Sequence, residues 1–155
     1  MMTSVSSGWY PDRPNPRHSE RESMLNSAPL ILIVEDDPSI SDLLRVVLSE
    51  EGFRVEMVDN ADDAFKMACQ SLPTLMLIDV MMPTQNGDLL VQRLQAHAST
   101  QQISMALMSS TRPRLAHMVG IPFLPKPFDI TDVVDFVRRH MDPETLSLAT
   151  LSDEG

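Results

Sequence analysis

Four carboxylates stand directly after two short apolar runs of the sequence. Glu35, Asp36 and Asp37 follow the first run, and Asp79 follows another. Carboxylates packed together repel one another unless a cation lies between them. Oxygen ligands without His or Cys suit Mg²⁺, which takes one or two carboxylates and keeps several waters. The pattern therefore predicts a magnesium site. Asp37 alone, however, is typical of a helix cap, and Glu35 and Asp36 are also compatible with solvated loop charges.

Asp79 has the surroundings that point most directly to chemistry. It follows four apolar residues and precedes three more, so we expect a partly buried carboxylate without a local partner, which is unfavourable if it stays unpaired. A carboxylate in such a place can act as a nucleophile and form an aspartyl phosphate. Ser109 and Lys126 follow later apolar runs and could bind the phosphoryl oxygens, by a hydrogen bond and by a point charge.

Short apolar runs predict the strands that position these residues. The first and third runs are continuous, which is typical of strands buried on both faces of a parallel sheet. The predicted strands are Leu30–Val34, Phe53–Val58, Leu75–Ile78, Ile103–Met108 and Phe123–Pro125.

Helical spacing of apolar residues between these runs predicts the helices. Asp37 before Pro38 can cap the first, Asn60 a second and Asp129 the last. Strands alternating with helices form right-handed βαβ units, so we expect an α/β fold with a doubly wound, five-stranded parallel sheet. Sites in such sheets lie outside the carboxyl ends of the strands, where the carboxylates, the hydroxyl and the amine would meet.

Composition limits the classes of partner. Lys and Arg number 12 against 22 Asp and Glu, a formal charge of −10, which argues against direct binding of nucleic acid and against docking on an anionic membrane. The single cysteine, Cys69, cannot form an internal disulfide, so a cytoplasmic location is expected. No apolar run approaches the roughly 18 residues of a membrane span, and no signal peptide is recognisable.

The domain organisation follows from where the apolar pattern begins and ends. Residues 1–28 are rich in Pro, Ser, Arg and Glu and are predicted to be a disordered tail. Residues 29–141 carry the alternating strands and helices of one domain. Residues 142–155 are polar and are predicted to form a flexible C-terminal tail.

These motifs together resemble the receiver domain of two-component response regulators, in particular the single-domain, CheY-like members. The likeness extends from about Leu30 to Met141 and includes the functional segments in order. The matching segments are Ile31–Pro38, Leu77–Pro83 with Gly87, Leu107–Ser110 and Leu124–Phe128. The resemblance implies the flavodoxin-like (βα)5 receiver fold and a role in phosphorelay signal transduction.

The resemblance also implies a role for each acidic residue. Asp79 would be the phosphoacceptor, and it would share a Mg²⁺ ion with its neighbours. Asp36 would bind the ion directly and Glu35 mainly through water, while Met81 would offer its backbone carbonyl. The phosphoryl donor would be a sensor histidine kinase or a histidine phosphotransfer protein.

Three further residues match the family's switch elements. Ser109 stands where the family has a switch Thr or Ser, and Phe123 matches the aromatic side chain that changes rotamer on activation. Lys126 precedes a proline in a bond that is usually cis in the family. The switched state would act on a downstream protein that the sequence does not identify.

The chain departs from the family between Ser109 and Lys126, which are only 17 positions apart. This stretch is about five residues shorter than usual, and Pro113 and Gly120 leave room for about two helical turns. We therefore expect a shortened fourth helix, between the fourth and fifth strands, and an altered signalling surface.

Three functions are compatible with these residues. The first is a stand-alone receiver, not an enzyme beyond its own phosphorylation and dephosphorylation, that signals by contact between proteins. The second is a receiver-like interaction module that works without phosphate, against which the complete set of site residues argues. The third is a haloacid-dehalogenase-type phosphatase, which would need a second Asp two positions after Asp79, where this chain has Met81.

Overall fold

The structure, a computed structural model, describes residues 28–82, 87–111, 118 and 120–141. Its strands form one five-stranded sheet in the order β2-β1-β3-β4-β5, and every pair of neighbours is parallel. The strands are β1 (Leu30–Val34), β2 (Arg54–Val58), β3 (Leu75–Asp79), β4 (Ser104–Ser109) and β5 (Phe123–Pro125). The predicted α/β fold with a five-stranded parallel sheet is confirmed.

Four helices occur in the described part of the chain. They are α1 (Pro38–Glu50), α2 (Ala61–Ser71), α3 (Gly87–Ala96) and α4 (Ile130–His140). Asp37 caps α1 by accepting a hydrogen bond from the Ser39 N–H at 2.9 Å, and Asn60 caps α2 in the same manner. Asp129 and Asp132 form a reciprocal capping box at the start of α4. The predicted helix starts are therefore confirmed.

The helices cover both faces of the sheet. One core cluster joins α1 and α4 through residues such as Leu44 and Val137, and this face is called the α1/α4 side below. The other cluster joins α2 and α3 through residues such as Ala64 and Leu90, and this face is called the α2/α3 side. Successive residues of β1 alternate between the two clusters, as the pleat of a strand requires. All five residues of β1 are buried, because each face of the strand is covered.

The start of β2 differs from the prediction by one residue. Phe53 is buried but lies outside β2, because its N–H donates to the Leu48 carbonyl and so belongs to the turn that ends α1. Gly52 supports this turn with a φ of 96°, a left-handed conformation that glycine adopts without strain.

The start of β4 is also one residue later than predicted. The N–H of Ile103 donates to the Thr100 carbonyl, so Ile103 closes the turn after α3 and β4 begins at Ser104. At their other ends, β3 runs to Asp79 and β4 to Ser109, so each strand includes the candidate site residue that follows its apolar run. Backbone hydrogen bonding thus incorporates two candidate site residues into the sheet itself.

Several sequence predictions concern residues outside the described ranges. The shortened helix was predicted between Ser109 and Lys126, where residues 112–117 and 119 lie outside the described ranges. The predicted tails, 1–28 and 142–155, also lie outside them except for Ala28. These predictions and the domain boundaries stay predictions. Within the described ranges, no helix has the length and apolar character needed to cross a membrane.

Candidate metal and phosphoryl site

The carboxyl ends of β1 and β3 bring three carboxylates together. These strands are neighbours, with Val34 opposite Ile78, so the residues that follow them lie side by side. Glu35, Asp36 and Asp79 each offer one oxygen, and these oxygens all lie within 4.8 Å of one another. Glu35 and Asp79 are only 2% and 3% exposed, whereas Asp36 is more open to solvent. The predicted acidic cluster therefore exists in the fold.

Lys126 contacts this cluster from the end of β5. Its ammonium Nζ lies 2.8 Å from Oε2 of Glu35 and 3.3 Å from Oδ2 of Asp79. The backbone N–H of Lys126 donates to the Ser109 carbonyl at 2.8 Å, which fixes the residue at the sheet edge. The peptide bond from Lys126 to Pro127 is cis, as the resemblance implied.

The buried charges alter each other's protonation. Burial raises the pKa of Glu35 to about 7; the hydrogen bond from Lys126 opposes this shift and the charge of Asp79 adds to it. Burial lowers the pKa of Lys126, but the hydrogen bond and charge of Glu35 and the charge of Asp79 outweigh it, so that its pKa lies above the usual value. Lys126 is therefore charged at neutral pH, and the carboxyl of Glu35 binds its proton more tightly than a solvent-exposed carboxyl does.

Backbone amides hold the remaining carboxylate oxygens. Oδ1 of Asp79 accepts a hydrogen bond from the Met81 N–H at 2.9 Å. Oε1 of Glu35 accepts one from the Asp37 N–H at 3.2 Å. Because each carboxylate is held on one oxygen by the backbone and approaches Lys126 with the other, the orientation of both groups is set by the fold.

Gly87, at the start of α3, packs directly against the end of β3. A Cβ atom on this residue would lie 2.6 Å from the Asp79 carbonyl oxygen and 3.0 Å from Cα of Val80. Both atoms belong to the backbone and cannot move aside easily. The sequence motif included Gly87 but did not reveal this role, because the contact depends on how α3 approaches the sheet.

A cleft of about 300 Å³ opens above the acidic cluster. Among the described residues it is lined by Glu35, Asp36, Asp37, Ile40, Asp79, Met81, Ser110 and Lys126. The predicted metal residues and Lys126 therefore share one open space. Ser110 and Ile40 were missed as site residues by the sequence analysis; the signal for Ser110 was its position directly after β4, at the carboxyl end of a strand.

The two predicted switch residues lie beside the cleft rather than in its described lining. Ser109 is the last residue of β4, is 1% exposed, and its Oγ accepts a hydrogen bond from the Thr111 N–H at 3.2 Å. Phe123 is half-buried and pairs with Leu107 in the sheet. Their roles in switching stay predictions.

Comparison with known sequences identifies relatives over most of the chain. The family model of the response regulator receiver domain matches residues 31–138. The transcriptional regulatory protein CpxR of Escherichia coli K12 is 32% identical over 113 residues, which cover 70% of this chain and 47% of that protein. The chain thus spans about half the length of this relative.

Solved structures share the fold. The chemotaxis response regulator CheY4 of Vibrio cholerae has a TM-score of 0.69 at 18% identity, covering 74% of this chain and all of that one. The receiver domain of the sensor histidine kinase PA1611 from Pseudomonas aeruginosa PAO1 has a TM-score of 0.62 at 19% identity, covering 74% of this chain and 98% of that one. A magnesium ion is coordinated in the active-site cleft of the PA1611 domain.

Proposed function

Because the chain belongs to the response regulator receiver domain family, we propose that Asp79 accepts a phosphoryl group from a sensor histidine kinase or a histidine phosphotransfer protein. The observation that carries this proposal is the contact of Asp79 with Lys126 inside a cluster of three carboxylates. A structural relative that is itself part of a sensor histidine kinase supports such a partner.

Mg²⁺ is the cofactor of the proposed reaction. The cluster fits the ion because its side-chain donors are all carboxylate oxygens within 4.8 Å of one another. Asp36 would bind the ion directly and Glu35 mainly through water, with Asp79 and the backbone carbonyl of Met81 completing the protein ligands. Bound there, the ion would offset the negative charge that an incoming phosphoryl group meets.

Asp79 supplies the nucleophile. A carboxylate oxygen of Asp79 forms a bond to phosphorus as the P–N bond of the donor's phosphohistidine breaks, and the electron pair of that bond stays with the imidazole, which takes up a proton. The Met81 N–H orients the carboxylate through Oδ1. Lys126, already 3.3 Å from Oδ2, can follow the transferred group and donate to one of its oxygens.

The output of the switch is contact with another protein. Ser109 and Phe123 are the proposed switch residues, and the downstream target is a protein rather than a nucleic acid, consistent with the formal charge of −10. We place this signalling in the cytoplasm and expect no catalysis beyond the chain's own phosphorylation and dephosphorylation. Stand-alone action stays part of the proposal, because the similar CpxR is about twice as long.

The test is phosphorylation of the intact chain by acetyl phosphate with Mg²⁺, followed by intact-mass measurement. We expect wild type to gain the mass of one phosphoryl group and Asp79→Asn to gain none. Asp42→Asn, which removes an exposed carboxylate on α1 outside the cleft, is the matched control and should be labelled like wild type. Labelling of Asp79→Asn, or none of wild type, would favour an interaction module that works without Asp79 phosphorylation.

A further inference from the structure

Strand alternation separates the two serines at the end of β4. Leu107 packs in the core of the α2/α3 side, and Met108 packs in the core of the α1/α4 side. Side chains of successive strand residues point to opposite faces. Ser109 therefore continues the α2/α3 side, and the same alternation carried one position past the end of β4 assigns Ser110 to the α1/α4 side.

Three charged groups of the site, those of Glu35, Asp79 and Lys126, continue the α1/α4 side. Two positions before Glu35, Asp79 and Lys126 stand Ile33, Leu77 and Leu124, and all three of these apolar residues pack in the core of that side. By the same alternation, the carboxylates and the ammonium emerge on the face to which Ser110 belongs. Ser110, which directly follows β4, is thus the hydroxyl assigned to the same face as the nucleophile.

Ser110 and Lys126 follow two neighbouring strands of the sheet, β4 and β5. Ser109 is paired with Pro125, and the N–H of Lys126 donates to the Ser109 carbonyl at 2.8 Å. The register ends with that pair, and Ser110 and Lys126 are the residues that directly follow the two strands. Consistent with this, Ser110 is exposed and lines the same cleft as Asp79 and Lys126.

Ser109 is engaged elsewhere. Its side chain is almost fully buried, and its Oγ accepts a hydrogen bond from the Thr111 N–H at 3.2 Å. This contact joins Ser109 to the turn that follows β4, and Ser109 is not among the described residues that line the cleft. Ser110 has the more direct access to a group bound on Asp79.

We propose that Ser110 is a phosphoryl-binding residue, whose Oγ–H donates to an oxygen of the group on Asp79 while Lys126 Nζ binds another. This inference rests on the proposed function. It assigns a role at the phosphoryl site to the Ser110 hydroxyl, to which the family resemblance assigned none. A hydroxyl donating to an anionic oxygen makes a short, charge-assisted hydrogen bond. No proton leaves Ser110, so the residue binds the transferred group without reacting itself.

The experiment measures the dissociation constant of beryllium fluoride, a phosphoryl mimic that binds carboxylates, at saturating Mg²⁺. Ser110→Ala should weaken binding about tenfold, the typical effect of losing one hydrogen bond to a charged group. Ser110→Thr, which keeps the hydroxyl, should restore most of the affinity. Thr111→Ala removes a neighbouring exposed hydroxyl that the cleft lining does not include, and should bind like wild type.

The dissociation constant of Mg²⁺ alone separates binding of the phosphoryl group from disruption of the fold. It should be unchanged in Ser110→Ala, because the proposed ligands of the ion are carboxylates and a backbone carbonyl. The assignment of Ser110 would be overturned if Ser110→Ala bound beryllium fluoride as tightly as wild type does. It would also be overturned if the variant lost as much affinity for Mg²⁺ as for beryllium fluoride. Either result would leave the role of Asp79 intact. Failure of wild type to bind the mimic at all would instead overturn the proposed function, and this inference with it.

Discussion

Glu35 and Asp36 are adjacent carboxylates with different freedom to bind a cation. Both oxygens of Glu35 are engaged, one by the Asp37 N–H and the other by Lys126. Asp36 is the more solvent-exposed member of the cluster. A cation can therefore reach Asp36 without breaking an ion pair, which supports direct coordination by Asp36 and coordination through water by Glu35.

This difference predicts how the two residues affect magnesium binding. Mg²⁺ should raise the melting temperature of the chain, because it binds the folded state and not the unfolded one. Asp36→Ala should cancel that increase more fully than Glu35→Ala, as measured by thermal unfolding with Mg²⁺ and with EDTA. Asp42→Ala, outside the cleft, is the control. Equal increases in all of these variants would place the metal elsewhere.

The sequence predicted that Lys126 lies near Asp79 but did not predict its contact with Glu35. That Lys126 follows a strand could be read from the apolar run before it, and its convergence with Asp79 follows from parallel strands ending at one edge. Its 2.8 Å contact with Glu35 joins residues 91 positions apart. Only the packing of β5 beside β4 and of β3 beside β1 fixes that distance.

At the level of elements, α3 and β3 are joined by an unusually close approach. The Cβ of an alanine at Gly87 would lie 2.6 Å from the backbone carbonyl oxygen of Asp79, well inside van der Waals contact. Relief would require α3 or the end of β3 to shift, and that shift would move the proposed phosphoacceptor. The small residue at the start of α3 therefore helps to set the geometry of the site.

Gly87→Ala should lower both stability and phosphorylation. Overpacking of this kind destabilises a protein by about 1–3 kcal/mol, and the rate of labelling by acetyl phosphate should fall as well. Gly52→Ala is the matched control: its Cβ would meet nothing within 4 Å, but its φ of 96° strains a side chain. It should lower the free energy of unfolding, measured in urea, without slowing the labelling. An unchanged labelling rate in Gly87→Ala would contradict the positioning role.

Element boundaries show what local sequence signals can and cannot specify. Asp37-Pro38 and Asp129 predicted their helix starts correctly, because capping depends on neighbours only a few positions away. The starts of β2 and β4 were each wrong by one residue, because Phe53 and Ile103 are apolar but donate their N–H groups to the preceding turns. In the middle of a strand an apolar residue is both buried and paired with a neighbouring strand, whereas at the end of a strand it can be buried without being paired.

For the whole molecule, the order of the strands explains why the site lies where it does. The chain runs from β1 outward to β2 and then crosses to β3 on the other side of β1. Helices α1 and α2 consequently lie on opposite faces, and a crevice opens between the ends of β1 and β3. The alternation of apolar runs and helical patterns predicted right-handed βαβ units and a parallel sheet covered on both faces, whereas the flavodoxin-like arrangement was implied by the family resemblance.

The assembled cluster also makes the stability of the metal-free protein depend on pH. Glu35 has a folded-state pKa raised from 4.5 to about 7, mainly by burial. Its contribution to stability is therefore fully present below the unfolded-state pKa and is lost as the pH rises through the folded-state value. In EDTA, the melting temperature should fall between about pH 5 and pH 8 for this reason.

Glu35→Gln should reduce that fall, because a neutral amide needs no deprotonation in the buried site. The measurement is thermal unfolding of wild type and variant in EDTA across the same pH range, and the informative quantity is the difference between the two slopes. Glu50→Gln, at an exposed position at the end of α1, should keep the wild-type slope. If Glu35→Gln loses as much stability as wild type on raising the pH, burial of Glu35 is not the source of the dependence. If Glu35→Gln loses less stability than wild type and Glu50→Gln does not, the pH dependence is due to the Glu35 carboxylate, which Lys126 contacts in the absence of metal.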